Sequence, residues 1–417
     1  MNPSASVVDF DEALEIVLGR ASGFDRLEVE TKPLLDCENR ILAESVVADR
    51  DQPPFDRSAR DGFAVKAADL SPGSELMVSG QVRAGERWRG ESLRRGEAIE
   101  IMTGAPVPDG ADAVVMVEHV ESTTANSANA IRLMDDRTVR TGENIVLRGS
   151  EARAGDRVLA VGAVVEGAEI ALAAACGCSM LKIFRRPRVA IVATGDELVE
   201  LDVVPEVQQI RNSNGYGLAA LVNKAGGEAV RLPIARDRRE GLERIIAAAL
   251  DCDLILLSGG VSMGKYDLVE EVLVSMGAEF FFTGVKMQPG KPLVFGQLPE
   301  GGGRPARFFF GLPGNPVSAQ VTFHCFVVPM LRAMGGAGVA GPNFVRTTLG
   351  EDVVGKAGVM RVLPARLAAD RVHTEVRIVA WQGSGDLGAN ARANCYAVLP
   401  PDREGFRKGD VITVLLR

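Results

Sequence analysis

Apolar positions at helical spacing open the chain. Phe10, Leu14, Val17 and Leu18 fall on one face, and Asp9 followed by Glu12 gives a capping-box pattern, so an amphipathic helix is predicted here. From about residue 50 to 140 the texture changes. Short β-type runs (FAVKAADL, SELMVSGQV, ADAVVMVEHVE, NAIRLM) alternate with Gly, Pro and Asp turns, which predicts a compact β-rich domain. Residues 141–165 continue in short strands and run into an Ala-rich stretch, EGAEIALAAACGC, that reads as a helix. Between 188 and 330 the apolar runs RVAIVAT, AVRLPIARD, DLILLSGG and RFFFGLPGNP read as strands. The stretches NGYGLAALVNKAG, REGLERIIAAAL, VEEVLVSMG and VSAQVTFHCFVVPML between and after them read as helices. This alternation predicts a doubly wound, mostly parallel sheet. Short strands return after about 335 and predict a small β-barrel or sandwich. The Gly-rich tracts 335–342 and 300–305 read as a linker and a hairpin tip.

A chain of 417 residues accommodates about three domains. Lys and Arg number 47 against 55 Asp and Glu, a net charge of −8 that argues against a broad nucleic-acid footprint. A small cationic pocket is compatible with it. Aromatic residues, at 5%, are too sparse for single-strand stacking platforms. No uninterrupted apolar run reaches the ~18 residues of a membrane span, and no basic-then-apolar secretory signal is visible at the N-terminus. The 6 cysteines are scattered without a C-x-x-C pair, so no disulfide framework is expected, and Cys176 and Cys178 read as buried spectators. The 3 histidines leave little material for a zinc site or a Ser–His–Asp triad.

Candidate chemistry gathers at strand ends. In an open parallel sheet, ligands bind beyond the carboxyl ends of the strands where strand order reverses. Three strands end in loops suited to this: VAIVATGDEL (189–198), LILLSGGVSMGKYD (254–267) and FFFGLPGNPVSA (308–319). Their glycines admit close backbone approach, and helix-start amides suit anions. The middle loop supplies Ser258, Gly259, Gly260, Gly264 and Lys265, but Tyr266 after the Lys rules out a Walker A motif. The third supplies Pro313, Gly314, Asn315 and Pro316. Glu197, Asp237 and Asp267 lie near strand ends, and carboxylates there suit Mg²⁺ shared with substrate phosphates. Lys291 sits on the PGKP turn and suits an oxyanion. Earlier in the chain, DQPPFDRSARDGFAV places Arg57 and Arg60 to hold an anion and Asp61 to act on a metal or a proton. Thr103 and Arg148 are further polar candidates.

Taken in order, PPFDRSARDGFAV, IMTGAPVPDGADAVVMVE, GENIVLRGSEARAGD, VAIVATGDELVE, RNSNGYGLAAL, SGGVSMGKYD, PGKPLVFG and GLPGNPVSAQVTF closely resemble the MoeA family, molybdopterin molybdenumtransferases related to the gephyrin E-domain. The likeness extends over nearly the whole chain. It implies a multi-domain α/β plus β protein with a molybdopterin-binding-like α/β domain at 183–335. A discontinuous linking domain (1–50 with 140–182), an inserted β-rich domain (51–139) and a C-terminal β-barrel-like domain (336–417) complete it. It implies insertion of molybdate into adenylylated molybdopterin, with Mg²⁺ and release of AMP, giving molybdenum cofactor. It implies a cytoplasmic homodimer with an active site shared between subunits, and the pathway's adenylyltransferase and molybdoenzyme chaperones as partners, with no nucleic acid or membrane. By motif match, Asp61, Thr103, Glu197, Asp237, Asp267 and Lys291 take the functional positions. Glu151, where the family often has Asp, and Lys286 and Gln288 beside PGKP depart from the pattern. Two other functions are compatible with parts of the chain: a molybdopterin adenylyltransferase, which needs only the α/β domain, and a gephyrin-like scaffold without turnover.

Overall fold

The computed structural model describes residues 6–24, 27–125, 128–260 and 268–417. The chain divides into two compact units, one of Met1–Ala43, Gly162–Glu166 and Leu181–Arg417, the other of Glu44–Val161 and Gly167–Met180.

The first unit opens with helix α1 (Phe10–Ser22). Its buried stripe is Phe10, Ala13, Val17 and Ala21, whereas Leu14 and Leu18 are only half-buried. The inward face is therefore rotated from the one the larger apolar residues suggested, and its two alanines permit close packing. Asp9 is the N-cap residue, but its side chain caps no helix N–H; it pairs with Lys286 at 3.1 Å instead.

The second unit is built on a six-stranded sheet of β1 (Gly62–Val65), β2 (Glu75–Val82), β3 (Glu97–Ile101), β4 (Ala113–Met116), β5 (Val120–Ala125) and β6 (Ala128–Leu133). The strand order is β5-β6-β2-β3-β1-β4, antiparallel except for β2 beside β3. β3 was not marked by sequence pattern. Ala98 and Ile99 enter cores on opposite faces, which removes the polar–apolar alternation that would flag a strand. The Ala-rich stretch forms helix α2 (Gly167–Ala175), followed by Cys176, which is buried, and Cys178, half-buried; both are free thiols.

The first unit resumes as a doubly wound sheet: β7 (Arg188–Ala193), α3 (Ser213–Lys224), β8 (Glu228–Arg231), α4 (Arg239–Ala249), β9 (Leu254–Ser258), α5 (Leu268–Ser275), β10 (Glu279–Phe282), β11 (Val294–Leu298), β12 (Arg307–Leu312) and the long helix α6 (Pro316–Met334). The order is β8-β7-β9-β12-β11-β10. The first four strands are parallel, and β11 and β10 form an antiparallel edge. Alternate strand residues serve two cores. Val189, Ile191, Leu254 and Leu256 face α1, α3 and α6, while Ala190, Val192, Ile255 and Leu257 face α4 and α5. Phe10 of α1 meets Phe326 of α6 with ring centroids 5.2 Å apart. α6 has the length and composition to cross a bilayer, but it is 78% buried and serves as a core helix. Gly301 bridges Arg304 at the tip of the β11–β12 hairpin, as the Gly-rich tract suggested.

The C-terminal part carries β13 (Phe344–Leu349), β14 (Met360–Ala369), β15 (Thr374–Ile378), a short helix α7 (Leu387–Arg392), β16 (Cys395–Leu399) and β17 (Val411–Leu416). β14 pairs with β15 and β16, β16 with β17, β17 with β13, and β13 with β15, which closes a five-stranded barrel.

Candidate functional site

Strand order reverses at β7. The chain passes from it to β8 on one side, then crosses back to β9 on the other. The crevice beyond the carboxyl ends of β7 and β9 is therefore where a ligand is expected. A cavity of about 380 Å³ lies there, lined by Glu197, Asn212, Asn214, Ser258, Gly259 and Asn315, among others. Thr194, Gly314 and Pro316 also line it, as do Gly385 from the loop before α7 and Leu387, the first residue of α7.

Backbone geometry explains the glycines. Gly259 has φ +92° and Gly260 φ +62°; a Cβ on the first would lie 2.6 Å from the Thr194 carbonyl oxygen, and on the second 2.7 Å from the Thr194 hydroxyl. The Thr194 N–H donates to the Ser258 carbonyl at 3.0 Å, so the ends of β7 and β9 are drawn into contact. Gly195 has φ +144°, and the Glu197 carboxylate folds over it, with Oε2 2.4 Å from where a Cβ would be.

Asn214, to which sequence reasoning gave no role, ties the site together. Its Nδ2 donates to the Gly314 carbonyl at 2.7 Å and to Ser258 Oγ at 3.0 Å. One side chain on the first turn of α3 thus links the loops after β9 and β12. The only local signal was its place at a helix start in RNSNGYG. Asn212 is the N-cap of α3 and accepts the Gly215 N–H at 2.9 Å. The Val317 N–H of α6 donates to the Ser384 carbonyl at 3.0 Å, which holds the 383–387 loop beside the cavity. The N-termini of α3 and α6 therefore both border the cavity; α3 presents the positive end of its dipole there, whereas on α6 Pro316 has no N–H and the Val317 N–H is taken by Ser384.

Among the sequence-marked residues, Glu197, Ser258, Gly259, Gly314, Asn315 and Pro316 come together in this cavity. Pro313 is buried just behind it, and Gly260 packs under Thr194 and Val269. Asp237 does not line the cavity, but its N–H donates to Asp196 Oδ1 at 3.3 Å, so its loop is tied to the one that carries Glu197. Lys291 is exposed and also outside the lining. The antiparallel register, Val294 against Gly311, puts its turn on the same rim of the sheet. Lys286 is engaged by Asp9, and Gln288 pairs with Arg361 of the barrel. Gly264, Lys265 and Asp267 lie outside the described residues. Among the described residues no three Asp, Glu, His or Cys side chains cluster as a metal site. Glu197, the one carboxylate lining the cavity among the described residues, nevertheless fits a cation that takes one or two protein carboxylates and fills its shell with substrate oxygens.

The second unit holds the other candidates. Asp61 is exposed, and its Oδ1 accepts the Thr103 N–H at 2.6 Å and the Thr103 hydroxyl at 2.8 Å. Those two donors, the N–H foremost, hold its carboxyl below the ordinary aspartate range. Arg57 is committed to Glu151 at 2.9 Å, which gives the departing glutamate a structural partner. Arg60 is exposed, and its N–H donates to Ser58 Oγ at 3.2 Å. Arg148 Nε donates to Asp51 at 2.6 Å and its N–H to Asp56 at 2.7 Å.

Fold and site together define a multi-domain protein whose doubly wound domain offers a glycine-lined, helix-capped ligand cavity at its switch point. Family models agree along the chain: MoeA N-terminal region (domain I and II) over residues 8–177, probable molybdopterin binding domain over 190–333, and MoeA C-terminal region (domain IV) over 346–416. A molybdopterin molybdenumtransferase of Nostoc is 35% identical over 396 residues, 93% of this chain and 88% of its own. One from Haemophilus influenzae is 34% identical, with 93% of each chain covered. A crystal structure of the molybdopterin biosynthesis MoeA protein of Pyrococcus horikoshii superposes with a TM-score of 0.79 at 28% identity, covering 99% of this chain and 100% of that one. The chain belongs to the MoeA family of molybdopterin molybdenumtransferases.

Proposed function

We propose that this protein is a molybdopterin molybdenumtransferase: it inserts molybdate into adenylylated molybdopterin, with release of AMP, and yields molybdenum cofactor. The observation that carries this reading is the convergence of the β7, β9 and β12 loops, with two helix N-termini, on one cavity. Molybdate and phosphate are tetrahedral oxyanions, and backbone N–H groups at helix starts are their natural donors. Asn214 keeps two of those loops in register.

Within this proposal Glu197, Asp237 and Asp267 orient the adenylate and would hold Mg²⁺, which when bound would supply Lewis-acid polarisation of phosphoanhydride oxygens. Lys265 and Lys291 bind anionic groups. Asp61, kept ionised by Thr103, acts in the transfer step. We further propose a cytoplasmic homodimer in which one subunit supplies Asp61 to its partner's site.

The test is release of AMP when molybdate is added to protein loaded with adenylylated molybdopterin. Turnover supports the proposal, and Asp61→Ala should lower it strongly. An Asp61→Ala protein that keeps the parent rate removes Asp61 from the mechanism. Binding without turnover would instead make the protein a scaffold, and ATP consumption with free molybdopterin would make it an adenylyltransferase.

A further inference from the structure

A second cavity, of about 740 Å³, lies within the second unit and does not include Asp61 or Thr103. Its walls are Pro54–Asp56 and Pro106–Asp109, with Trp88 between them. The indole is fixed. Trp88 Nε1 donates to the Glu91 carbonyl at 2.8 Å, and its ring packs so closely on two glycines that a Cβ at Gly80 or Gly90 would lie 2.5 or 2.4 Å away. From below, Trp88 and Val107 rest on the core of Val82, Ile99 and Ile101.

Polar groups of both signs line the same cavity. Arg148 and Asp56 are held by their own hydrogen bonds. Asp109 and Arg87 are different: among the described residues, neither the Asp109 carboxylate nor the Arg87 guanidinium has a hydrogen-bond or ion-pair partner. A planar stacking surface with one free carboxylate and one free guanidinium suits a flat heterocycle that has N–H donors on one edge and a carbonyl acceptor beside them. A 2-amino-4-oxo pteridine has that edge. Its 2-amino and N3–H groups donate to a carboxylate, and its O4 accepts from a guanidinium.

The walls of this cavity also continue the ladder that carries the proposed transfer residue. The Val107 N–H donates to the Asp56 carbonyl at 2.8 Å, Arg57 bridges Pro106, and the Gly104 N–H donates to the Ser58 carbonyl at 2.8 Å; Asp61 and Thr103 follow on the same two segments. Residues 59–61 bend and 103–104 turn, so the three to five residues between the pair and the cavity span at most roughly 17 Å. A pyranopterin with its phosphate can bridge such a gap.

We propose that the Trp88–Asp109 cavity is the pterin-recognition subsite, in which the heterocycle stacks on Trp88 and its amino edge is read by Asp109. This rests on the molybdenumtransferase reading and adds to it where the organic part of the substrate is held. The test uses the full-length protein, with 6-methylpterin and 6-methyllumazine, the analogue with an oxo group at position 2, followed by their own fluorescence anisotropy. The parent should bind the pterin at least tenfold tighter than the lumazine. Asp109→Asn should abolish that preference, and Trp88→Leu should weaken both ligands by tenfold or more. A preference that survives in Asp109→Asn, or pterin affinity unchanged in Trp88→Leu, overturns the proposal. Turnover separates the two ideas. If the parent releases AMP with molybdate but Asp109→Asn keeps the parent KM for adenylylated molybdopterin, the subsite is wrong and the function stands. If the parent does not release AMP, the function fails, and the subsite with it as a substrate site.

Discussion

Asn214 offers the sharpest test of how the cavity is held. Replacing it by alanine removes two hydrogen bonds, one of 2.7 Å to the Gly314 carbonyl and one of 3.0 Å to Ser258 Oγ. Neutral hydrogen bonds contribute about 0.5–1.5 kcal/mol each, so the tie is worth about 1–3 kcal/mol. If that energy serves to keep the two loops in catalytic register, kcat/KM for AMP release falls by roughly 5- to 150-fold. Aspartate should be worse than alanine. A carboxylate only accepts, and it would set an oxygen against the Gly314 carbonyl where a donor now sits. The assay is molybdate-dependent AMP release, with far-UV circular dichroism to establish that each variant is folded. A folded Asn214→Ala within twofold of the parent, or an Asp variant as active as the parent, would refute the reasoning.

Two further outcomes concern protonation. Thr103→Val removes the hydroxyl donor to Asp61 but leaves the stronger N–H donor, so the Asp61 carboxyl should rise part of the way toward its ordinary range. A depressed carboxyl keeps its charge as pH falls until its folded-state pKa is crossed, so the acid limb of the rate profile should move to higher pH in the variant; an unmoved limb contradicts this. His324 is 7% exposed, and burial, with the charges of Arg417 and Lys224, lowers its pKa from 6.5 to about 4. Between those values the unfolded chain binds a proton the folded one does not, so stability falls as pH drops from about 6.5 to about 4, by about 3 kcal/mol in all. His324→Leu should flatten urea midpoints across that window, and a slope equal to the parent's would exclude His324 as its source.

The central parallel strands β7, β9 and β12 were legible because they are buried on both faces and read as unbroken apolar runs between amphipathic helices. β10 and β11 were not. Their residues, EFFF and VFGQL, pair antiparallel with each other and along β12, and nothing local distinguishes an added edge hairpin from the loop after a helix. The stripe of α1 was misplaced for a similar reason: Ala13 and Ala21 are buried by the helix they pack against, while bulkier Leu14 and Leu18 lie at the margin. At the site, loops were easier to find than side-chain partnerships. Glycine at a strand end announces a backbone that turns sharply, and three such loops met. Asn214 acts across 44 residues to Ser258 and 100 to Gly314, a relation set by packing alone. Lys291 shows the converse: its turn was plain in PGKP, yet its place on the cavity's rim of the sheet, outside the lining, follows from the register of β11.

The glycines at the switch point have a cause that needs no ligand, and this separates architecture from chemistry. Gly259 and Gly260 crowd Thr194, which is 2% exposed and whose hydroxyl has no partner among the described residues. A side chain at either would meet Thr194 at 2.6–2.7 Å in a left-handed backbone, at a cost of at least about 1–2 kcal/mol before the clash is counted. Gly260→Ala should therefore lower the unfolding midpoint and lose activity in step with it. Glu197 is exposed and its carboxylate folds over Gly195, so Glu197→Gln should leave the midpoint unchanged and lower molybdate-dependent turnover. Gly195→Ala lies between these two. Its new methyl would displace the Glu197 carboxylate, a flexible group that can give way, from a backbone at φ +144° that already disfavours it. If Glu197→Gln destabilised the protein as much as Gly260→Ala while turnover per folded molecule held, Glu197 would belong to the scaffold and the carboxylate in the cavity would lose its assigned part in binding the adenylate.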